Sequence, residues 1–163
     1  MQRYLEDKTL PGAVLLASVP VGGMWQSSGR VIRHHPGAFL RAIVTLRVGP
    51  IFGREREARA LLFGPDMDRE TMARYRERLG EETFRAYLDT LFRMPKPDRV
   101  LTPMLILAAG ADHMISVRQQ QRTASAYETT AVVVDGAAHD LMLDARWETS
   151  AEAILDWVHA LPG

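Results

Sequence analysis

Three short, uninterrupted runs of apolar residues stand out along the chain. They are Gly12–Pro20, Thr102–Gly110 and Thr130–Gly136, and each is bounded by proline, glycine or threonine. Because apolar and polar residues do not alternate within them, the runs are typical of strands buried on both faces of a parallel sheet, although the pattern alone also fits a buried helix. We therefore predict three parallel strands.

Helical patterns lie where parallel strands need crossover connections. The segment Ser116–Tyr127 opens with a capping-box pattern at its first and fourth residues. Residues 147–158 carry apolar side chains at helical spacing, and Thr149 is a candidate cap. Met1–Asp7 resembles the end of a further helix. After residue 99 the predicted elements are strand, helix, strand and helix, an order that indicates an α/β fold.

The part of the chain between the first and second runs, residues 22–98, has a different composition. It contains four amphipathic stretches that predict helices: Phe39–Leu46, Glu55–Phe63, Asp68–Leu79 and Glu81–Phe92. We predict that residues 22–98 form a helical insertion on an α/β core, which is built from residues 1–21 and 99–163.

An acid and a histidine follow two neighbouring strands of the predicted sheet. Asp112 comes shortly after the second run and His139 shortly after the third. Ligands of open α/β sheets bind beyond the carboxyl ends of the strands. A carboxylate that holds one imidazole nitrogen frees the other to act as a general base. Taken alone, Asp112 also fits a turn former or a helix cap. The order and positions of the two residues together favour a catalytic pair.

The composition of the chain excludes several kinds of partner and site. The 20 basic and 20 acidic side chains cancel, so no excess positive charge is available for nucleic acid. The absence of cysteine excludes disulfides and thiolate chemistry. The five histidines lack the spacing of a metal site, and no cofactor is predicted. No apolar run reaches the ~20 residues of a membrane span, and the N-terminus lacks the apolar core of a signal peptide, which predicts a cytoplasmic protein.

Both ends of the chain resemble the α/β-hydrolase family, its esterase and lysophospholipase branch above all. The segment TPMLILAAGADHMIS resembles the seventh strand and acid loop of that family, and DGAAHDLMLDARWETSAEAILDW resembles its eighth strand, histidine loop and last helix. QRYLED and GAVLLASVP resemble the helix after the nucleophile and the sixth strand. The resemblance implies a partial hydrolase fold, with Asp112 as the triad acid, His139 as the triad base, and residues 22–98 as the cap or lid.

The nucleophilic serine of that family has no counterpart in this sequence. The family order is serine, acid, histidine, with the serine in a G-x-S-x-G turn. All serines of this chain have other neighbours: Ser18, Ser27, Ser28, Ser116, Ser125 and Ser150. The turn would fall just before Met1. The resemblance thus implies a truncated chain, inactive alone. In its complete form it would hydrolyse small-molecule esters with an apolar group, which we expect Met24, Trp25, Phe39, Phe52, Phe63 and Met67 to contact.

Two alternatives remain open at this point. The chain is equally compatible with a non-catalytic fragment or pseudoenzyme that associates with another chain, or with itself, through an exposed strand edge at Gly12–Ala17. A helical binding protein built on residues 22–98 would make the acid–histidine pair a coincidence. The DNA upstream of Met1 distinguishes the ester hydrolase from the non-catalytic fragment, because an in-frame G-x-S-x-G predicts a hydrolase and a stop codon predicts a fragment.

Overall fold

The three apolar runs form one parallel sheet in a computed structural model, which describes residues 1–80 and 83–161. The strands are β1 (Ala13–Leu16), β2 (Met104–Ala109) and β3 (Ala131–Val134). Their order in the sheet is β1-β2-β3, so β2 is central. The prediction of three adjacent co-directional strands is confirmed. Each strand is shorter than the apolar run that predicted it.

A set of helices connects β1 to β2. They are α1 (Trp25–His34), α2 (Pro36–Thr45), α3 (Glu55–Ala58), which continues as a π-helix over Arg59–Phe63, α4 (Arg69–Glu77) and α5 (Phe84–Phe92). Short 3₁₀ turns occur at Tyr4–Glu6, Gly49–Ile51 and Pro97–Arg99. The connecting helices bury an apolar cluster of their own, which includes Val31, Leu61, Phe63 and Met72.

The remaining two helices cover opposite faces of the sheet. They are α6 (Val117–Ala126) and α7 (Trp147–His159). Every residue of β2 is buried, and its side chains alternate between the two faces. Leu107 lies in a cluster with residues of α7, whereas Ile106 lies in a cluster with residues of α6. The sheet is therefore the middle of three layers, and the loops that follow its strands reach one common edge.

Several local predictions differ from the structure. The segment Met1–Asp7 forms only the 3₁₀ turn at Tyr4–Glu6. Thr149 is not the cap of α7, since that helix already begins at Trp147. The predicted helix at Glu81–Phe92 begins at Phe84 with Thr83 as its cap, and residues 81 and 82 lie outside the described part. Within the described part, no helix has the length and hydropathy of a membrane span.

Candidate active site

The acid loop after β2 holds the carboxylate of Asp112 in a fixed position. Its Oδ1 accepts hydrogen bonds from the amides of Met114, at 2.7 Å, and Ile115, at 2.8 Å. The side chain of Asp112 is completely buried. The amide of Ala111 donates to the carbonyl of Ala137 at 2.9 Å, which joins the acid loop to the loop after β3. The position of the second carboxylate oxygen is therefore set by the backbone.

That second oxygen contacts His139. The distance from His139 Nδ1 to Asp112 Oδ2 is 2.8 Å. Because an ionised carboxylate only accepts hydrogen bonds, the neutral imidazole carries its hydrogen on Nδ1 and leaves Nε2 as an acceptor. The histidine side chain is 18% exposed, so its ring reaches the surface of a cavity. The structure thus brings the two predicted site residues together; their catalytic role stays a prediction.

A second buried carboxylate, Asp144, supports the loop that carries His139. Its Oδ2 accepts from the amide of Ala138, which directly precedes His139, at 2.9 Å, and its Oδ1 accepts from the amide of Arg146 at 2.9 Å. The guanidinium of Arg146 forms an ion pair with Asp66, at 2.8 Å, in residues 22–98 between β1 and β2, which we call the helical segment. Sequence reasoning missed Asp144; the only signal is an acid that follows the histidine closely in the same loop.

Opposing effects act on the pKa of His139. Burial disfavours the imidazolium and lowers the pKa, but the hydrogen bond and the charge of Asp112, together with the charge of Asp140, outweigh burial, and the net pKa is raised. Burial raises the pKa of Asp140, which the charge of His139 partly offsets. The imidazolium that forms when His139 takes up a proton is therefore stabilised in this site.

No cluster of histidine and acidic side chains suited to a metal ion occurs in the part of the chain that the structure describes.

A cavity of about 640 Å³ opens beside His139 and Asp140. Its wall is mostly apolar and is formed both by residues that follow the strands and by residues of the helical segment. The lining side chains include Ala17, Val31, Ile51, Leu62, Met114 and Ile115. A cavity of this kind, with a few polar groups at defined places, is typical of a small-molecule site.

Three of the six bulky residues expected at the cavity do line it: Met24, Phe39 and Phe52. The expectation was wrong for the other three. Trp25 is 53% exposed and packs edge-on against Phe92 on the outer surface. Phe63 and Met67 are instead buried in the apolar cluster formed by residues of the helical segment.

A polar network behind the cavity joins α1 to the acid loop. Arg30 donates to the carbonyl of Met114 at 2.7 Å and to Gln119 Oε1. Gln119, the fourth residue of the predicted capping box, also accepts from the amide of Ser116 at 3.1 Å and donates to Ser27 at 3.3 Å. The peptide group that carries the Met114 carbonyl also carries the amide of Ile115, which donates to Asp112, so Arg30 polarises the same chain of hydrogen bonds. No periodic pattern in the sequence indicates that Arg30 approaches the acid loop.

No protein-family model and no curated protein matches the sequence. Two solved structures match 98% of the chain each: an esterase from Thermogutta terrifontis, at 18% identity and a TM-score of 0.55, and a monoacylglycerol lipase from Paleococcus ferrophilus, at 19% identity and a TM-score of 0.60. The chain has an α/β-hydrolase fold. It spans 59% and 63% of the length of these two enzymes.

The α/β-hydrolase fold found here is a partial one, as the sequence predicts. The sheet has three strands among the described residues, and the loops after two of them, β2 and β3, carry Asp112 and His139. The likeness to these two enzymes concerns the fold alone.

Proposed function

We propose that this chain carries the acid and the base of a serine-type carboxylic-ester hydrolase. The observation that carries the proposal is the 2.8 Å contact between His139 Nδ1 and Asp112 Oδ2 beside an apolar cavity. The contact fixes the tautomer in which Nε2 accepts a proton, and the buried carboxylate stabilises the resulting imidazolium. The esterase and the monoacylglycerol lipase that share the fold support ester hydrolysis as the reaction class.

In a complete protein the reaction divides into two steps. A serine hydroxyl supplied by the rest of the fold attacks the ester carbonyl while Nε2 of His139 takes its proton, and His139 then returns that proton to the leaving alkoxide as the acyl-enzyme forms. Water then attacks the acyl-enzyme while His139 takes its proton; the acyl group leaves as the carboxylic acid, and His139 returns the proton to the serine oxygen. Asp112 orients the imidazole throughout and does not itself become protonated.

The cavity supports an apolar acyl or alkyl group in the substrate. Its walls combine Ala17, Met114 and His139, which follow the three strands, with residues of the helical segment such as Phe39 and Phe52. We assign residues 22–98 as a cap on a core formed by residues 1–21 and 99–163. A cap of this kind excludes water from the reacting ester and strengthens the electrostatic effect of Asp112 on His139.

The chain by itself should hydrolyse p-nitrophenyl butyrate only at the background rate. It contains no G-x-S-x-G sequence, and so it lacks both the nucleophile and the backbone amide that follows it in the oxyanion hole. The measurement is the initial rate of nitrophenolate release by the chain and by its His139→Ala variant. Equal rates are expected. A rate above background that His139→Ala abolishes would contradict the predicted inactivity.

One observation favours a second, non-catalytic function. The amides of Ala13 and Ala17 donate to the carbonyls of Pro103 and Leu107, on the side of β1 that faces β2. Successive amides of a strand point to alternate sides, so the amides of Val14 and Leu16 point to the opposite edge of β1. An apolar strand with such an edge readily pairs with another strand. We propose that a second copy of the chain pairs there, which predicts a dimer in sedimentation velocity; a monomer at every protein concentration would contradict this association.

A further inference from the structure

Residues 62–64, at the end of the π-helical turn, lie directly against the loop that carries His139. The amide of Asp140, the residue after His139, donates to the carbonyl of Leu62 at 3.0 Å. Gly64 has a φ of +70°, and a side chain there would place its Cβ 3.0 Å from the Cβ of Ala138, the residue before His139. Both chain neighbours of His139 are therefore in contact with the helical segment.

A third contact between the helical segment and this loop runs through side chains. Oδ2 of Asp66 lies 2.8 Å from Nη2 of Arg146, and Nη1 of Arg146 lies 3.5 Å from Oδ1 of Asp144. The other oxygen of Asp144 accepts from the amide of Ala138 at 2.9 Å. Asp66 is therefore linked, through Arg146 and Asp144, to the amide that directly precedes His139.

The turn that carries Asp66 is held in place within the helical segment. Nη1 of Arg59 donates to the carbonyls of Pro65, at 3.3 Å, and Met67, at 2.8 Å. The side chain of Met67 is buried in the apolar cluster of the segment. The side chain of Asp66 is 55% exposed, but its backbone is fixed from both sides. Less conformational entropy is therefore lost when its carboxylate pairs with Arg146.

The position of the histidine loop decides how well His139 meets Asp112. The backbone amides of the acid loop fix the carboxylate of Asp112, so a movement of the histidine loop changes the 2.8 Å distance from Nδ1 of His139 to Oδ2 of Asp112. It also moves Nε2 relative to the reacting ester. A misplacement of about 1 Å at a reacting group is sufficient to lower a rate about 10²-fold.

From these contacts we infer that the helical segment positions His139, and that Asp66 is a positioning residue that acts through Arg146 and Asp144. Asp66 does not border the cavity. The inference rests on the proposed function of His139 as the base. It gives the helical segment a role in addition to lining the cavity, because residues 62–66 then set the geometry of the acid–histidine pair.

The test is the pKa of His139 in the full chain, measured by NMR titration in Asp66→Ala, in Arg146→Ala and in the variant with both changes. Each single change should lower this pKa by about 0.5, because a loosened loop weakens the hydrogen bond and the charge effect of Asp112 that raise it, and partly exposed ion pairs are weak. The double variant should match Arg146→Ala alone, since Asp66 acts only through Arg146.

The two single variants also separate positioning from charge acting through space. Removal of the negative charge of Asp66 would lower the pKa of His139 through space, whereas removal of the positive charge of Arg146 would raise it. Positioning predicts that both variants lower it. Shifts of opposite sign, no shift in either variant, or shifts that add in the double variant would overturn the inference.

Glu55→Ala is the matched control. It removes another ion pair of the helical segment, in which Glu55 Oε1 lies 3.0 Å from Arg69 Nε, and it should leave the pKa of His139 unchanged. An equal shift in Glu55→Ala would indicate general loosening and contradict a specific role of Asp66. Asp112→Asn tests the proposed function separately. If it shifts the pKa of His139 and Asp66→Ala does not, only the positioning by the helical segment fails.

Discussion

His139→Ala will lower kcat for a p-nitrophenyl ester by about 10⁶-fold in a protein whose reading frame extends upstream of Met1 through a G-x-S-x-G turn. A serine hydroxyl is a weak nucleophile at neutral pH unless an adjacent base takes its proton as it attacks. The hydrogen bond from His139 Nδ1 to Asp112 leaves Nε2 as the base that faces the cavity. Alanine at this position removes the acceptor of the proton and its donor to the leaving group together.

His113→Ala is the control for this substitution. His113 directly follows Asp112 in sequence but is exposed, so its removal tests whether any change in the acid loop is sufficient to lower the rate. Its kcat should remain close to that of the extended protein. Retention of activity by His139→Ala, or an equal loss in both variants, would contradict the assignment of His139 as the base.

Asp112→Asn will lower kcat of the same extended protein by about 10⁴-fold, with the fold intact. Oδ1 of Asp112 accepts from the amides of Met114 and Ile115, so an asparagine keeps its carbonyl oxygen there and turns its amide nitrogen towards His139. An NH₂ group donates, which forces the imidazole to accept at Nδ1 and to carry its hydrogen on Nε2. The base is then present in the wrong tautomer.

Asp135→Asn is the matched control, since Asp135 is an exposed acid at the end of β3 that makes no contact with His139. It removes the same charge from the same edge of the sheet and should leave kcat nearly unchanged. A loss of activity in both variants would indicate a general effect of net charge on substrate binding. Full activity of Asp112→Asn would remove Asp112 from the mechanism.

The sheet and its edge could be predicted from the sequence because their signals are local. An uninterrupted apolar run such as Thr102–Gly110 fits a strand buried on both faces, and β2 is indeed buried throughout. Once the strands are parallel and adjacent, the loops after β2 and β3 must meet, so the contact of Asp112 with His139 follows from chain direction alone.

The helical segment was harder to predict because tertiary packing decides it. Helix α1 was missed, since Ser27, Ser28 and Gly29 weaken its helical pattern, yet the two serines are buried and hydrogen-bonded to other elements. Trp25 and Phe63 were both expected in the cavity, but their directions depend on how α1 and the π-helical turn pack. The contacts of Arg30 and Asp144 join residues whose approach no sequence pattern encodes.

The pKa of His139 tests the pairing with Asp112 most directly, and it can be measured on the chain itself by NMR titration of the imidazole resonances. We predict that His139 titrates above the ordinary value of 6.5. Asp112→Asn should lower its pKa below that value, because the effect of burial, which lowers the pKa, is then opposed only by the charge of Asp140. Asp135→Asn should leave it unchanged. An unshifted pKa of His139 that is the same with Asp112 and with asparagine would contradict the pairing and the function proposed from it.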